Sequence, residues 1–296
     1  MPRNDQPDRT KLTFSQAEGL EPLPQPLVLG ELSQEVRSLL WRDIYEDMFQ
    51  TKETDPFIAE TYVGEPWLGV LYDMHVEVDH RPADKFGNAF SGNVEKLRTL
   101  VMEGPWNEVF DFLQFAMRRR PSPNDLESKV CQAFETGRVA YTVIPDGPTI
   151  IPTATPEEGA AITEAFRLLA ETGFDGARSH LRAAAEALSA GGCADSVRES
   201  IHAVESVACR LNADASTTLK PALDALEERI KMHPALKEGF SKIYGYTSDQ
   251  DGIRHALFEG DADVDVVDAT FMLGACASLV TYLINKARGS GLIEDG

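Results

Sequence analysis

Two stretches of this 296-residue chain gather side chains that could move a proton or hold a phosphate. The first is Arg198, His202, Glu205 and Cys209, which fall at i, i+4, i+7 and i+11 and make one polar stripe on a helix. A guanidinium, an imidazole and a carboxylate in a row can bind an anion or relay a proton. They can equally satisfy one another, because a buried Glu205 needs a partner that His202 or Arg198 could supply. The mid-helix position beside an apolar face favours this structural role. The second stretch is Tyr246-Thr-Ser-Asp-Gln-Asp-Gly-Ile-Arg254-His255-Ala-Leu. An acid-flanked loop there delivers an arginine and a histidine together at a helix start. A helix N-terminus favours anions, arginine is a bidentate phosphate donor, and histidine exchanges protons near neutral pH. That combination suits cleavage of a ribose-phosphate ester. Capping of the same helix by Asp251 or Ser248, with Arg254 paired to Asp249 or Asp251, explains the same residues without chemistry.

Other clusters carry less. His75-x-Glu77-x-Asp79-His80 has metal-ligand types, but the composition reads as a solvated loop. Arg118-Arg119-Arg120 suits the C-terminus of a helix, where cations complement the dipole; RNA contact is the other use of such a triplet. Cys131, Cys193, Cys209 and Cys276 lie far apart with no C-x-x-C pair, so no zinc knuckle or redox motif is expected. No G-x-x-x-x-G-K-S/T, G-x-G-x-x-G, G-x-S-x-G or H-E-x-x-H occurs, which disfavours P-loop, Rossmann, α/β-hydrolase and zincin chemistry. We expect no cofactor and no metal site.

The formal net charge is −20, from 28 basic and 48 acidic residues. That weighs against non-specific binding to a nucleic-acid backbone or an anionic membrane. The excess is uneven: residues 174–288 carry 12 basic and 17 acidic side chains, whereas the first 173 carry 16 and 29. The C-terminal half is the less repulsive to a polyanion. The polar N-terminus lacks the apolar core of a signal peptide, and the weakly polar run from Ala269 to Ile284 is shorter than the roughly 20 residues of a membrane span. A cytoplasmic protein with no membrane partner is expected.

The elements that must position these residues are mostly helical. Residues 1–30 are proline-rich and read as an irregular arm. Ser33 is a candidate N-cap for a helix whose face carries Val36, Leu39, Leu40, Ile44 and Phe49, and residues 51–66 read as a loop. Two helices flank Gly104-Pro105, and another runs from Asn124 to Glu135. Then comes the one strong β signal, Arg138–Ile144 and Thr149–Pro152 around Asp146-Gly147, a hairpin. Pro156 opens a helix to about Ala170. Further helices are expected over 177–190, 194–211, 217–231, 234–244 and about 264–286, with a polar loop over 245–252 and a short helix at 253–258. The small centre of the last one, Gly274-Ala-Cys-Ala-Ser278, suits close approach, either within a bundle or between two subunits. The expected organisation is a helical domain with a small β-hairpin over 1–155 and a helical bundle over 156–296.

The segment from His233 to Ala287, with YGYTSD-x-DGIRHAL at its centre, resembles the end of the HEPN-type domain of AbiJ-type abortive infection proteins, and Asp195–Leu211 resembles that domain's second helix. FSQAEGLEPL, LRTLVMEGPWNEVFDFLQFAM and the hairpin GRVAYTVIPDGPTIIPT are similar to one class of the family's N-terminal domain. The resemblance implies a phage-defence effector, a dimeric HEPN-like bundle and metal-independent RNA cleavage by an Arg–His pair. Family members space the pair R-x4-6-H, whereas Arg254 and His255 are adjacent and Arg198–His202 is R-x3-H, so the carry-over to Arg254 and His255 rests on motif position. Tyr246, Arg198, His202 and Glu205 are then candidate substrate-binding residues. RNA or a nucleotide, a second copy of the chain through the C-terminal bundle, and an antitoxin or sensor protein are the implied partners. The alternative is a non-catalytic HEPN-like module that binds a nucleotide or protein in a defence or toxin–antitoxin system.

Overall fold

The computed structural model describes residues 14–18, 20, 29–145, 147–212, 219–248 and 264–293. A single helical turn, α1 (Phe14–Ala17), precedes α2 (Gln34–Thr51). Ser33 caps α2 as expected, its hydroxyl accepting the Val36 N–H at 3.3 Å. Val36, Leu40, Ile44 and Met48 form the buried stripe of α2. Phe49, placed on that face by periodicity, is instead exposed, with the Lys52 Nζ 3.2 Å from its ring centroid. Residues 51–66, read as a loop, hold a minimal antiparallel pair, β1 (Glu53–Thr54) with β2 (Thr61–Tyr62). Then follow α3 (Trp67–Asp73), which runs into a π-helical turn at Met74–Val78, α4 (Phe90–Glu103), α5 (Trp106–Arg118) and α6 (Leu126–Thr136).

The expected hairpin is present as β3 (Tyr141–Ile144) and β4 (Thr149–Pro152), with Val143 opposite Ile150 and Ile144 opposite Thr149. Its alternation organises the molecule. Val143 and Ile150 pack into a core built from α2 to α6, while Ile144 and Ile151 pack into a second core built from the helices that follow. Successive side chains of a strand point to opposite faces, so one short hairpin is a wall of both cores.

The second core is made by α7 (Pro156–Glu171), α8 (Asp175–Ser189), α9 (Cys193–Leu211), α10 (Leu219–Arg229), α11 (Pro234–Ser248) and α12 (Val266–Gly289). The backbone of α11 continues through 245–248, which the sequence reads as the start of a polar loop. Helix α12 has the length and hydropathy of a membrane span, but most of its apolar window is buried among its neighbours. Gly274 at its centre faces α7: a Cβ there would lie 2.7 Å from Cγ and 2.9 Å from Cδ of Glu158. Glu158 is fixed by a reciprocal cap in which Thr155 Oγ1 accepts the Glu158 N–H at 3.1 Å and Glu158 Oε2 accepts the Ala154 N–H at 2.6 Å. The small residues of α12 thus serve a close contact inside the chain. Among the described residues the architecture is mostly α, with a hairpin and one further two-residue strand pair.

Candidate functional site

Helices α8 and α9 are joined through Ala190, Gly191 and Gly192 and pack along each other. Their seam is narrow because it is lined by Ala184, Ala185, Ser200 and Ala208 beside Leu181, Val197, Ile201 and Val204, all buried. At its rim, three polar residues adjacent to core positions converge. His180 immediately precedes Leu181 on α8; Glu199 and His202 lie on one turn of α9 beside Ser200 and Ile201. His180 Nδ1 is 2.7 Å from Glu199 Oε2, and His202 Nδ1 is 3.9 Å from the same oxygen. The two imidazoles meet edge to face with centroids 5.3 Å apart. The side chains retain 41%, 21% and 36% of their exposure for His180, Glu199 and His202, so the cluster opens to solvent.

Arg198 completes the surroundings. Its Nη1 is 2.8 Å from Asp195 Oδ1 and its Nε is 3.7 Å from Glu199 Oε1. The expected network linking Arg198, His202 and Glu205 to one another is therefore not what forms. Helical side chains lean toward the N-terminus, so Arg198 reaches Asp195 and His202 turns to Glu199, each three residues back. Glu205 looks the other way along the chain: its Oε1 accepts the N–H of Leu219, the first residue of α10, at 2.8 Å. The stripe divides into a half that joins the histidine cluster and a carboxylate that satisfies an otherwise orphaned helix-start amide. His180 and Glu199 escaped the sequence reading, and with them a metal-capable constellation, because the three groups meet only when α8 and α9 are side by side. Glu199-x-x-His202 was the available signal.

Arg254 and His255 lie outside the described residues, as does the short helix expected at 253–258. The backbone of Tyr246 is in the last turn of α11. The arginine triplet is engaged within the fold. Arg118 donates from Nε to Pro148 O at 2.9 Å and from Nη2 to Thr149 Oγ1 at 2.7 Å, Arg119 pairs with Asp73 at 2.6 Å, and Arg120 donates to the Met117 carbonyl at 2.9 Å. His75 is buried against the Phe86 ring with Nε2 3.0 Å from Pro82 O, so H-x-E-x-D-H is a folded turn and not a solvated loop. Burial pushes the Cys131 thiol up to about 11 and Cys276 up to about 12, and it raises Cys209 with help from Glu205, which keeps these three as protonated packing groups. An open cleft of about 880 Å³ lies among α3, its π-helical turn, α4 and α5, with the Lys96–Asp79 pair (2.7 Å) and Arg119–Asp73 on its walls.

The fold and the site define a mostly helical protein with two cores sharing a hairpin and a histidine–carboxylate cluster on the second. A family model described as AbiJ N-terminal domain 4 matches residues 12–168, more than half of the chain, and the chain belongs to that family. No curated protein and no solved structure matches it. The match runs from α1 through the hairpin and most of α7, bears out the N-terminal part of the resemblance, and supports a role in abortive infection.

Proposed function

We propose that this protein is a cytoplasmic abortive-infection effector in which a HEPN-like C-terminal bundle, residues 156–296, cleaves RNA without a metal ion. The N-terminal domain, residues 1–155, senses a trigger, restrains the bundle or recruits a partner. The observation that carries this reading is the AbiJ N-terminal domain match over residues 12–168. The helices from α8 onward complete the second core, and the sequence from the end of α11 toward α12 carries YGYTSD-x-DGIRHAL. The large open cleft of the first core supports a sensing role there.

The chemistry assigned to Arg254 and His255 needs no cofactor. His255 takes the proton from a ribose 2′-hydroxyl as that oxygen bonds to phosphorus. The bond to the 5′-oxygen then breaks as the imidazolium returns the proton to that oxygen, and the products are a 2′,3′-cyclic phosphate and a 5′-hydroxyl. Arg254 stabilises the charge on the phosphorane. A homodimer through the bundle would place two such pairs across one cleft. Arg198 is the weaker candidate for phosphate binding, since Asp195 and Glu199 already hold its guanidinium. The test is induced expression of the full chain with growth and RNA 3′ ends as readouts. Wild type arrests growth and leaves cyclic-phosphate ends, whereas Arg254→Ala and His255→Ala do neither. Growth arrest without RNA breakage, or cleavage that survives both substitutions, overturns the assignment.

A further inference from the structure

We propose that His180, Glu199 and His202 form a binding site for one divalent transition-metal ion of the zinc class. Two imidazole nitrogens and one carboxylate oxygen lie within 4.8 Å of one another. Neighbouring donors in a tetrahedral shell with bonds of about 2.0–2.2 Å sit about 3.3 Å apart. The two separations from Glu199 Oε2, 2.7 and 3.9 Å, bracket that spacing. An ion therefore requires side-chain shifts of roughly 0.6 Å per pair, well inside rotamer freedom on a half-exposed surface.

Without an ion the arrangement is incomplete. Glu199 Oε2 accepts one short hydrogen bond, from His180, and leaves His202 Nδ1 at 3.9 Å, beyond hydrogen-bond reach. An ion placed among the three would engage both imidazoles at once. The carboxylate is also oriented for the task. Its Oε1 is turned to Arg198, which Asp195 holds in turn, so Oε2 is the oxygen left facing the imidazoles. Such outer partners fix the ligating oxygen in protein metal sites. Asp195 and Glu199 set two carboxylates and Arg198 one guanidinium beside the two imidazoles, in a chain of net charge −20.

The donor set decides the class of ion. Imidazole suits zinc, cobalt, nickel or copper, whereas magnesium and calcium want oxygen shells. Three protein ligands open to solvent leave at least one coordination position for water or an incoming ligand. Two ligands share a turn of α9 and the third crosses from α8, so the ion would also tie these helices together. The proposal uses neither Arg254 nor His255, and it goes beyond the nuclease reading without depending on it.

The experiment uses the full chain, stripped with chelator and titrated with zinc, cobalt or magnesium chloride. One zinc per chain is expected at micromolar concentration, undisturbed by excess magnesium, with a rise in melting temperature. Cobalt should give visible d–d bands without a thiolate charge-transfer band. His180→Asn and Glu199→Gln should each weaken zinc binding at least about tenfold, the scale of losing a ligand or its orientation, with the circular dichroism spectrum unchanged. Absence of stoichiometric zinc, equal retention of magnesium, a thiolate band placing the ion on cysteine, or full binding by the folded variants overturns the proposal. If a variant does not fold, the cobalt spectrum of the wild type decides alone. RNA cleavage by the same stripped protein tests the nuclease separately: zinc binding without cleavage removes only that reading, and cleavage without zinc binding removes only this one.

Discussion

Among single residues, Glu205 shows how the same sequence spacing can serve two ends. Its spacing from Arg198 and His202 is that of a charge stripe, yet its carboxylate spans to the next helix and accepts the Leu219 N–H. Replacing Glu205 with Ala should cost about 1–3 kcal/mol, the loss of a charge-assisted acceptor that leaves a helix-start donor unpaired. Urea denaturation would measure it, and Glu205→Gln should recover most of the loss because an amide oxygen still accepts. A variant as stable as wild type would mean that water replaces the cap without cost. Glu158 behaves differently. Burial raises its pKa, against the pull of the Ala154 and Thr155 amides. A carboxyl whose folded pKa exceeds its unfolded one stabilises the fold below the unfolded value and loses that contribution as pH climbs through the folded value. Glu158→Gln keeps an acceptor for the Ala154 N–H and removes the titration. It should match wild type at about pH 3 and be at least as stable at about pH 7, on either side of the carboxylate range. Greater loss in the variant at neutral pH would show that the ionised carboxylate is the better cap.

At the scale of elements, α7 and α12 pack along each other, and the close approach at Gly274 against Glu158 leaves no room for a side chain. Gly274→Ala should destabilise by about 1–3 kcal/mol, the usual cost of overfilling a packed contact. The double variant Gly274→Ala, Glu158→Ala should recover part of it, because the clash is with the Glu158 side chain. Thermal melts of Gly274→Ala, Glu158→Ala and the double variant check this; additive losses would place the contact elsewhere. Most helices were legible in the sequence because strong punctuation bounds them: Ser33 before α2, Gly104-Pro105 between α4 and α5, Pro156 at the start of α7. The hairpin was legible from its β-rich runs around Asp146-Gly147. Its dual allegiance was not, since alternation tells that two faces exist and not that each meets a different core. The β1–β2 pair escaped because two residues per strand carry no period. The turn at Met74–Val78 escaped because a π-helical stretch has no sequence period of its own. The histidine cluster escaped for a related reason: only Glu199 and His202 share an element, and His180 comes from the facing helix.

At the scale of the whole molecule, the proposed homodimer would be built on the second core. The sequence suggests a dimer through the small-residue centre of the last helix, but Gly274 is occupied by Glu158 of the same chain. Any two-fold contact along α12 must use its outer face, where Val267 is 70% and Phe271 60% exposed. Exposed apolar side chains one turn apart on a helix whose opposite face is buried in its own bundle suit a helix–helix interface. The proposed homodimer therefore makes a discriminating prediction. Light scattering should give two chains per particle for wild type at tens of micromolar. Phe271→Asp should give one chain, with a melting temperature at high dilution close to that of wild type, because Phe271 is 60% exposed and, among the described residues, is not part of the buried core. Gly274→Ala should lower the melting temperature and leave the association of the folded fraction intact. Chelation should not alter RNA cleavage by the dimer, since the proposed chemistry runs on a 2′-hydroxyl, an imidazole and a guanidinium. A wild-type monomer at these concentrations removes the dimer. Association that survives Phe271→Asp but fails in Gly274→Ala would show that α12 pairs through its centre after all, at the expense of the contact with Glu158.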